Sequence, residues 1–218
     1  MRFKRESVND GEKVFTQKFS SELDEIESVL SETLYQVKHT TEKGKEDQLI
    51  VDPVATNALL QDNLKSQGWE LGVNVDTDDY SGGKDIDIYK NKIAGEIQFS
   101  HYTSLDSDMN RLERLYEGKL HLKGNRDVEA GVVIVVDSDM PSSNSVSHYG
   151  QALTRAAPQS LFVTPTLIYG IAAPEPGEEV VHNTYPSPRS RTLEDSRKIN
   201  FKQTYPIDQA DFDAYTDN

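Results

Sequence analysis

The chain has no cysteine in its 218 residues. Disulfides, thiolate catalysis and cysteine-based zinc sites are therefore excluded. Its five histidines (His39, His101, His121, His148, His182) are scattered, with no HExxH-like spacing, so a histidine zinc centre is not expected. No run approaches the ~20 apolar residues of a membrane helix. The first residues, MRFKRESVNDGEK, lack the apolar stretch of a signal peptide. These absences point to a cytoplasmic protein with no membrane partner. Basic residues are scarce as well: 23 Lys and Arg stand against 37 Asp and Glu, for a net charge of −14. Taken alone, this argues against a nucleic-acid partner, because phosphates attract basic surfaces. Net charge nevertheless speaks to solubility and association rather than to a local site. Acidic, lysine-poor surfaces also suit work in concentrated salt, the setting of a halophile, where counterion release contributes little to DNA binding.

What is present reads as alternating helices and strands. Residues 21–37 (SELDEIESVLSETLYQV) carry apolar residues at helical spacing behind a Ser cap. Residues 49–69 give a short apolar entry, a break at Pro53 and an amphipathic helix ending near Gly68. A hairpin follows over 84–100, then a helix within 104–126 that carries Arg111, Arg114 and Lys119 among leucines. The β-branched run GVVIVVDSD (131–139) predicts a buried strand. A Pro/Ser/Asn loop (140–151) leads into a helix through Ala156, and a second buried strand lies within 164–174. Residues 175–202 read mostly as loop with a cluster of arginines, and the acidic tail at about 207–218 as frayed. One α/β domain over 1–218, a mixed central β-sheet flanked by helices, is the expected architecture.

The hairpin DIDIYKNKIAGEIQFS (85–100) carries the chemistry. Asn91-Lys92 reads as its two-residue turn, which pairs Lys90 with Ile93, Asp87 with Glu96 and Asp85 with Gln98. All four polar residues then share one face, and Ile86, Ile88, Ile97 and Phe99 form a core-facing set on the other. Opposed Cβ atoms lie about 4.5–5.5 Å apart, and like charges there repel. Two explanations stay open from the pairing alone. A hard divalent cation can sit between the acids, or the face is wet and water screens the repulsion.

The order helix, hairpin with D…ExQ, helix, buried strand resembles the PD-(D/E)xK nuclease core, with Gln98 where Lys is usual. Gln there, with DPVATN (52–57), EIQFSHY (96–102), SSNSVSHYGQ (142–151), TPTLIYGI (164–171) and SRT (190–192), resembles the BglII/BstYI-type type II restriction endonucleases over roughly residues 49–192. That resemblance implies a restriction-endonuclease-like core and a homodimer within a restriction-modification system. It implies cleavage of both strands of a palindromic double-stranded DNA site, centred on GATC, with Mg²⁺ as cofactor. Asp87 would be the central metal ligand, Glu96 a second ligand, direct or through water, and the Ile97 carbonyl a third. Gln98 would orient the attacking water. Asn144 and Ser145, Ser100 and His101, and Arg189 and Arg191 fall where the family contacts bases, and Asn or Arg can bond bidentately to adenine or guanine. Each has a plainer role: the 142–145 loop can cap the helix that follows, and the arginines can be solvated. Asn74 is the nearest counterpart of an active-site Asn and can equally be a turn residue. Arg111, Arg114 and Lys119 are expected near the DNA or dimer interface, or on a solvated helix face.

Three other readings are weighed. A retaining glycosidase also uses two close carboxylates, but the chain has one Trp and no cluster of aromatic platforms. A PD-(D/E)xK repair nuclease without sequence specificity would lack use for the 142–145 and 187–192 loops. A non-catalytic DNA-binding nuclease fold has no need of the full Asp87/Glu96/Gln98 set. The acidic balance carries its own expectation: the chain keeps its fold and activity in molar KCl. Circular dichroism and activity across a KCl series check it, and function confined to dilute buffer would refute the halophile reading.

Overall fold

The computed structural model of the chain describes residues 1–45, 48–76, 85–99, 102–157, 161–187 and 190–202. The expectations for Ser100, His101 and Arg189, and for the tail at 207–218, lie outside the described residues. A six-stranded mixed sheet forms the centre. Its strands are β1 (Phe3–Val8), β4 (Glu70–Asn74), β5 (Asp85–Lys90), β6 (Ile93–Ile97), β7 (Ala130–Val136) and β8 (Thr166–Ile171), in the order β1-β8-β7-β6-β5-β4. β6, β7 and β8 run parallel, and β1, β5 and β4 are antiparallel to their neighbours. On one face pack α1 (Gly11–Lys18), α2 (Ser20–Glu32) and α3 (Pro53–Ser66), and on the other α4 (Tyr102–Tyr116) and α5 (Tyr149–Arg155). The mixed sheet between helices is the architecture read from the sequence.

β7 explains the layering. It is buried along its whole length. Ala130, Val132, Ile134 and Val136 enter the core under α1–α3, and Val133 and Val135 enter the core under α4 and α5. A strand covered on both faces reads as a continuous apolar run, because neither face meets water. α4 supplies Leu105, Met109, Leu112 and Leu115 to its side. α3 starts where the Pro53 break is read: Pro occupies the first helical turn, and Asp52 caps it by accepting from the Ala55 N–H.

A second sheet was not expected. β10 (Asp195–Asn200), β9 (Glu179–Thr184), β2 (Gln36–His39) and β3 (Leu49–Val51) form it in that order. Thus 175–202, read as mostly loop, contains a strand pair. β10 is exposed at nearly every position, so it lacks the alternation that marks a half-buried strand, and its pairing with β9 holds it. β1 was missed for a related reason: it is a charged edge strand whose partner, β8, supplies the ladder.

The hairpin turn is as read. Asn91 and Lys92 both take positive φ (47° and 71°), and Lys90, Tyr89 and Ile88 face Ile93, Ala94 and Gly95. Beyond Ile88 the ladder opens. Gly72 on β4 takes a φ of +56°, between the Leu71–Ile88 and Val73–Ile86 pairs. The strands change face there. Ile88, Ile97 and Phe99 enter the α1–α3 core, but Ile86 enters the α4 core. The expectation of one core-facing set of four is corrected accordingly: a kink at Gly72 and Asp87 breaks the alternation.

Gly95 shows how tight this hairpin is. A Cβ there would stand 2.7 and 2.8 Å from two Ile88 carbons and 3.3 Å from Val132 Cβ. Gly95→Ala is therefore expected to destabilise the protein by about 1–3 kcal/mol through overpacking, seen as a lower urea midpoint at unchanged slope.

Candidate active site

The break in the ladder between β5 and β6 is filled by a side chain. The Ile97 N–H donates to Asp87 Oδ2 at 2.7 Å, where a regular pair would offer a main-chain carbonyl. One residue later the Gln98 N–H rejoins order, donating to the Ile134 carbonyl of β7. Glu96, between them, faces Val133 and the α4 side, and only 2% of its surface is exposed. α4 meets it with two polar residues one turn apart. Arg111 Nε and Nη2 donate to Glu96 Oε1 at 2.9 and 2.6 Å. Arg111 Nη2 also donates to Asp108 Oδ1 at 2.8 Å, and Gln98 Nε2 donates to Asp108 Oδ2 at 2.8 Å. Asp108, Arg111 and Gln98 are all buried. The structure thus brings together Asp87, Glu96, Ile97 and Gln98, and adds Asp108 and Arg111.

Burial dominates the electrostatics here, and charge of one sign adds to it at Asp87 and Glu96. Burial pushes the Asp87 carboxyl up to about 6; the Ile97 N–H opposes this, Asp108 and Asp85 add to it, and Arg111 subtracts. Burial also raises Glu96 well above the usual carboxylate range, with Arg111 opposing and Asp87 and Asp108 reinforcing. Asp108 is raised for the same leading reason. Arg111 is, among the described residues, the cation that acts on all three carboxylates, one positive charge against three negative when all are ionised. Among the described residues, no group of three or more His, Asp or Glu side chains forms a metal cage. The donor set instead suits a hard divalent cation held by one or two carboxylates, with substrate phosphate and water completing the shell. The residues fit a divalent cation on charge and donor chemistry. Glu96 enters such a site already paired with Arg111.

The loops expected to meet bases lie elsewhere, along one cleft of about 410 Å³ lined by Ser143, Tyr185, Ser187 and Ser190. Asn144 is exposed, and its N–H donates to Glu42 Oε2. The Ser145 carbonyl accepts from the N–H of Tyr102, the first residue of α4, at 2.7 Å. Arg191 is exposed beside Ser190. Tyr185 packs rather than projects: its hydroxyl donates to Asp52 Oδ2 at 2.6 Å, beside Asn183 at 3.1 Å. Asn74 ends β4 opposite Asp85.

A family model described as restriction endonuclease BglII/BglIII matches residues 3–171. The chain belongs to this family. It is a type II site-specific deoxyribonuclease by that membership, with a core built like those of its relatives. The type II restriction enzyme BglII of Bacillus subtilis is 29% identical over 174 residues, covering 78% of each chain. The crystal structure of restriction endonuclease BglII complexed with a DNA 16-mer matches at a TM-score of 0.84 and 26% identity over 95% of both chains. Free BglII matches in fold at a TM-score of 0.68 and 24% identity, over 93% of this chain and 95% of that one.

The candidate site holds two residues that sequence reasoning does not assign to it. Arg111 was placed near DNA or an interface, or on a solvated face, and is instead buried against Glu96. Asp108 was not singled out. Its signal was faint: Asp and Arg three apart on a helix, inside the apolar stripe formed by Leu105, Met109 and Leu112. Arg114 is partly buried on the same helix, and Lys119 lies past its end, exposed and paired with Glu117.

The raised Asp87 carboxyl carries a stability consequence. Its native state holds a proton up to about pH 6, whereas an unfolded Asp loses it near ~3.9. The folded state binds more protons between those values, so this group makes stability fall as pH rises through that window. Asp87→Asn is expected to raise Tm by about 5 °C at pH 7–8. The difference should vanish below pH ~4. Calorimetry of both proteins across pH measures it.

Proposed function

We propose that the chain cuts both strands of a palindromic, GATC-centred double-stranded DNA site as a Mg²⁺-dependent, cytoplasmic homodimer. One observation carries the catalytic part of this reading: buried Glu96 and Asp108 share the Arg111 guanidinium beside half-buried Asp87, which takes the Ile97 N–H at the point where β5 and β6 part. Asp87, Glu96 and the Ile97 carbonyl would hold the cation. Bound there, a divalent cation acidifies a water and offsets the charge that develops on phosphate. Asp87 would hold the cation with a carboxylate that the Ile97 N–H already orients. Glu96 completes the negative pocket while Arg111 limits its charge. Gln98 holds the attacking water in line by a hydrogen bond and takes no proton from it. Burial under α4 keeps bulk solvent from screening these charges.

The DNA reading is supported by the likeness to a relative crystallised with a DNA 16-mer and by the two loops that share a cleft. Asn144, Ser145 and Arg191 would meet base edges from these loops; Ser100, His101 and Arg189 are proposed base contacts as well. A palindromic site asks for a two-fold symmetric reader, which a homodimer provides. No helix among the described residues is long and apolar enough to cross a membrane, in keeping with a cytoplasmic place of action.

Incubation of the protein with a mapped plasmid and Mg²⁺, followed by sequencing of fragment ends, tests the whole reading. Discrete fragments ending at GATC-centred palindromes are expected, and Asp87→Asn should leave the plasmid intact while still binding the same duplex. A smear would favour a nonspecific nuclease, an untouched plasmid a fold that only binds DNA, and cutting by Asp87→Asn would remove Asp87 from the mechanism.

A further inference from the structure

We infer that Asp108 is a positioning residue of the cleavage reaction, acting through Gln98. This rests on the endonuclease reading above. A glutamine amide has two orientations of nearly equal shape and opposite chemistry: one branch donates, the other accepts. An ionised carboxylate accepts only. Asp108 Oδ2 sits 2.8 Å from the Gln98 amide and takes its N–H, which turns the carbonyl oxygen to the other branch. That orientation matters for hydrolysis. A water about to attack phosphorus needs an acceptor for its O–H and a lone pair left open. A flipped amide would offer N–H donors to that lone pair and hold it back.

The second oxygen of Asp108 is engaged as well. Oδ1 accepts from Arg111 Nη2 at 2.8 Å, and Arg111 in turn holds Glu96 Oε1 through Nε and Nη2. Asp108 and Arg111 lie three residues apart on α4 and meet as neighbours on one helix face. The carboxylate thereby fixes two side chains at once, each in the one orientation its acceptor oxygens allow. Stability alone gives no reason for an acid here. The adjoining positions Leu105, Met109 and Leu112 fill the α4 core with apolar side chains, and an apolar residue would avoid the cost of burying a charge beside two others.

Four variants test the assignment on a duplex that the wild-type protein cuts: Asp108→Leu, Asp108→Asn, Gln98→Ala and the double variant Asp108→Leu/Gln98→Ala. Single-turnover cleavage with Mg²⁺, duplex affinity in EDTA and Tm are measured for each. Asp108→Leu should slow cleavage roughly tenfold or more and leave duplex affinity within about twofold of wild type. Asp108→Asn, which keeps one acceptor oxygen, should recover most of the rate. The double variant should lose far less than the product of the two single losses, because Asp108 acts largely through Gln98, with a smaller part through Arg111. Losses that multiply, or a wild-type rate from Asp108→Leu, would overturn the proposal. Should Asp108→Leu melt too low to assay, the swap Gln98→Glu/Asp108→Asn replaces it. An amide at position 108 can donate to a carboxylate at position 98, so the swap should cut about tenfold faster than Gln98→Glu alone; equal rates would overturn the proposal. A wild-type protein that cuts no duplex defeats the endonuclease reading itself, whereas cutting with multiplicative losses defeats only the role of Asp108.

Discussion

Everything at this site depends on one buried guanidinium. Arg111 meets Glu96 and Asp108 together, and without it two buried carboxylates would lie uncompensated beneath α4. Removing one partner of a buried pair leaves an uncompensated charge, and such losses run to about 3–5 kcal/mol. The fork geometry suits this role, since Nε and Nη2 converge on one Glu96 oxygen while Nη2 also reaches Asp108. One cation for three acids is an incomplete settlement. Burial raises the carboxyls of Asp87, Glu96 and Asp108, and like charge adds to it at Asp87 and Glu96, a setting whose charge and donor chemistry a divalent ion would suit.

The fold produces this imbalance by a small backbone event. A hairpin running in regular register to its end would put a carbonyl where Asp87 Oδ2 now stands. The positive φ of Gly72 and the Asp87–Ile97 contact separate β5 from β6 instead. The opening gives the acids a common space against α4. Parallel pairing of β6 with β7 keeps Glu96 and Gln98 in place, since Ile97 and Gln98 follow the Ile134 ladder. The site is therefore half ladder and half gap.

α4 joins this chemistry to the cleft where base contacts are proposed. Its first N–H binds the Ser145 carbonyl, and its third turn carries Arg111. A shift of the 142–145 loop would act on the same rigid element that holds Glu96 and Asp108. Along the cleft, Asp52 anchors Tyr185 and Asn183, which ties the second sheet to the start of α3.

Much was legible in one dimension. The Asn91-Lys92 turn, the continuous apolar run of β7 and the sequence Asp87…Glu96-Ile97-Gln98 all have short-range physical causes: turn dihedrals, burial on two faces, and the period of a strand. They determined the hairpin register near the turn and the layered α/β architecture. The tertiary structure decided the rest. β10 and β1 have little pattern of their own and exist because a neighbour pairs with them. The face of Ile86 was set by a kink that alternation cannot foresee. Asp108 and Arg111 looked like ordinary helix polars, and what made them part of the site was the packing of α4 over β6. Spacing along one element shows which side chains share a face; only the docking of a second element shows what that face meets.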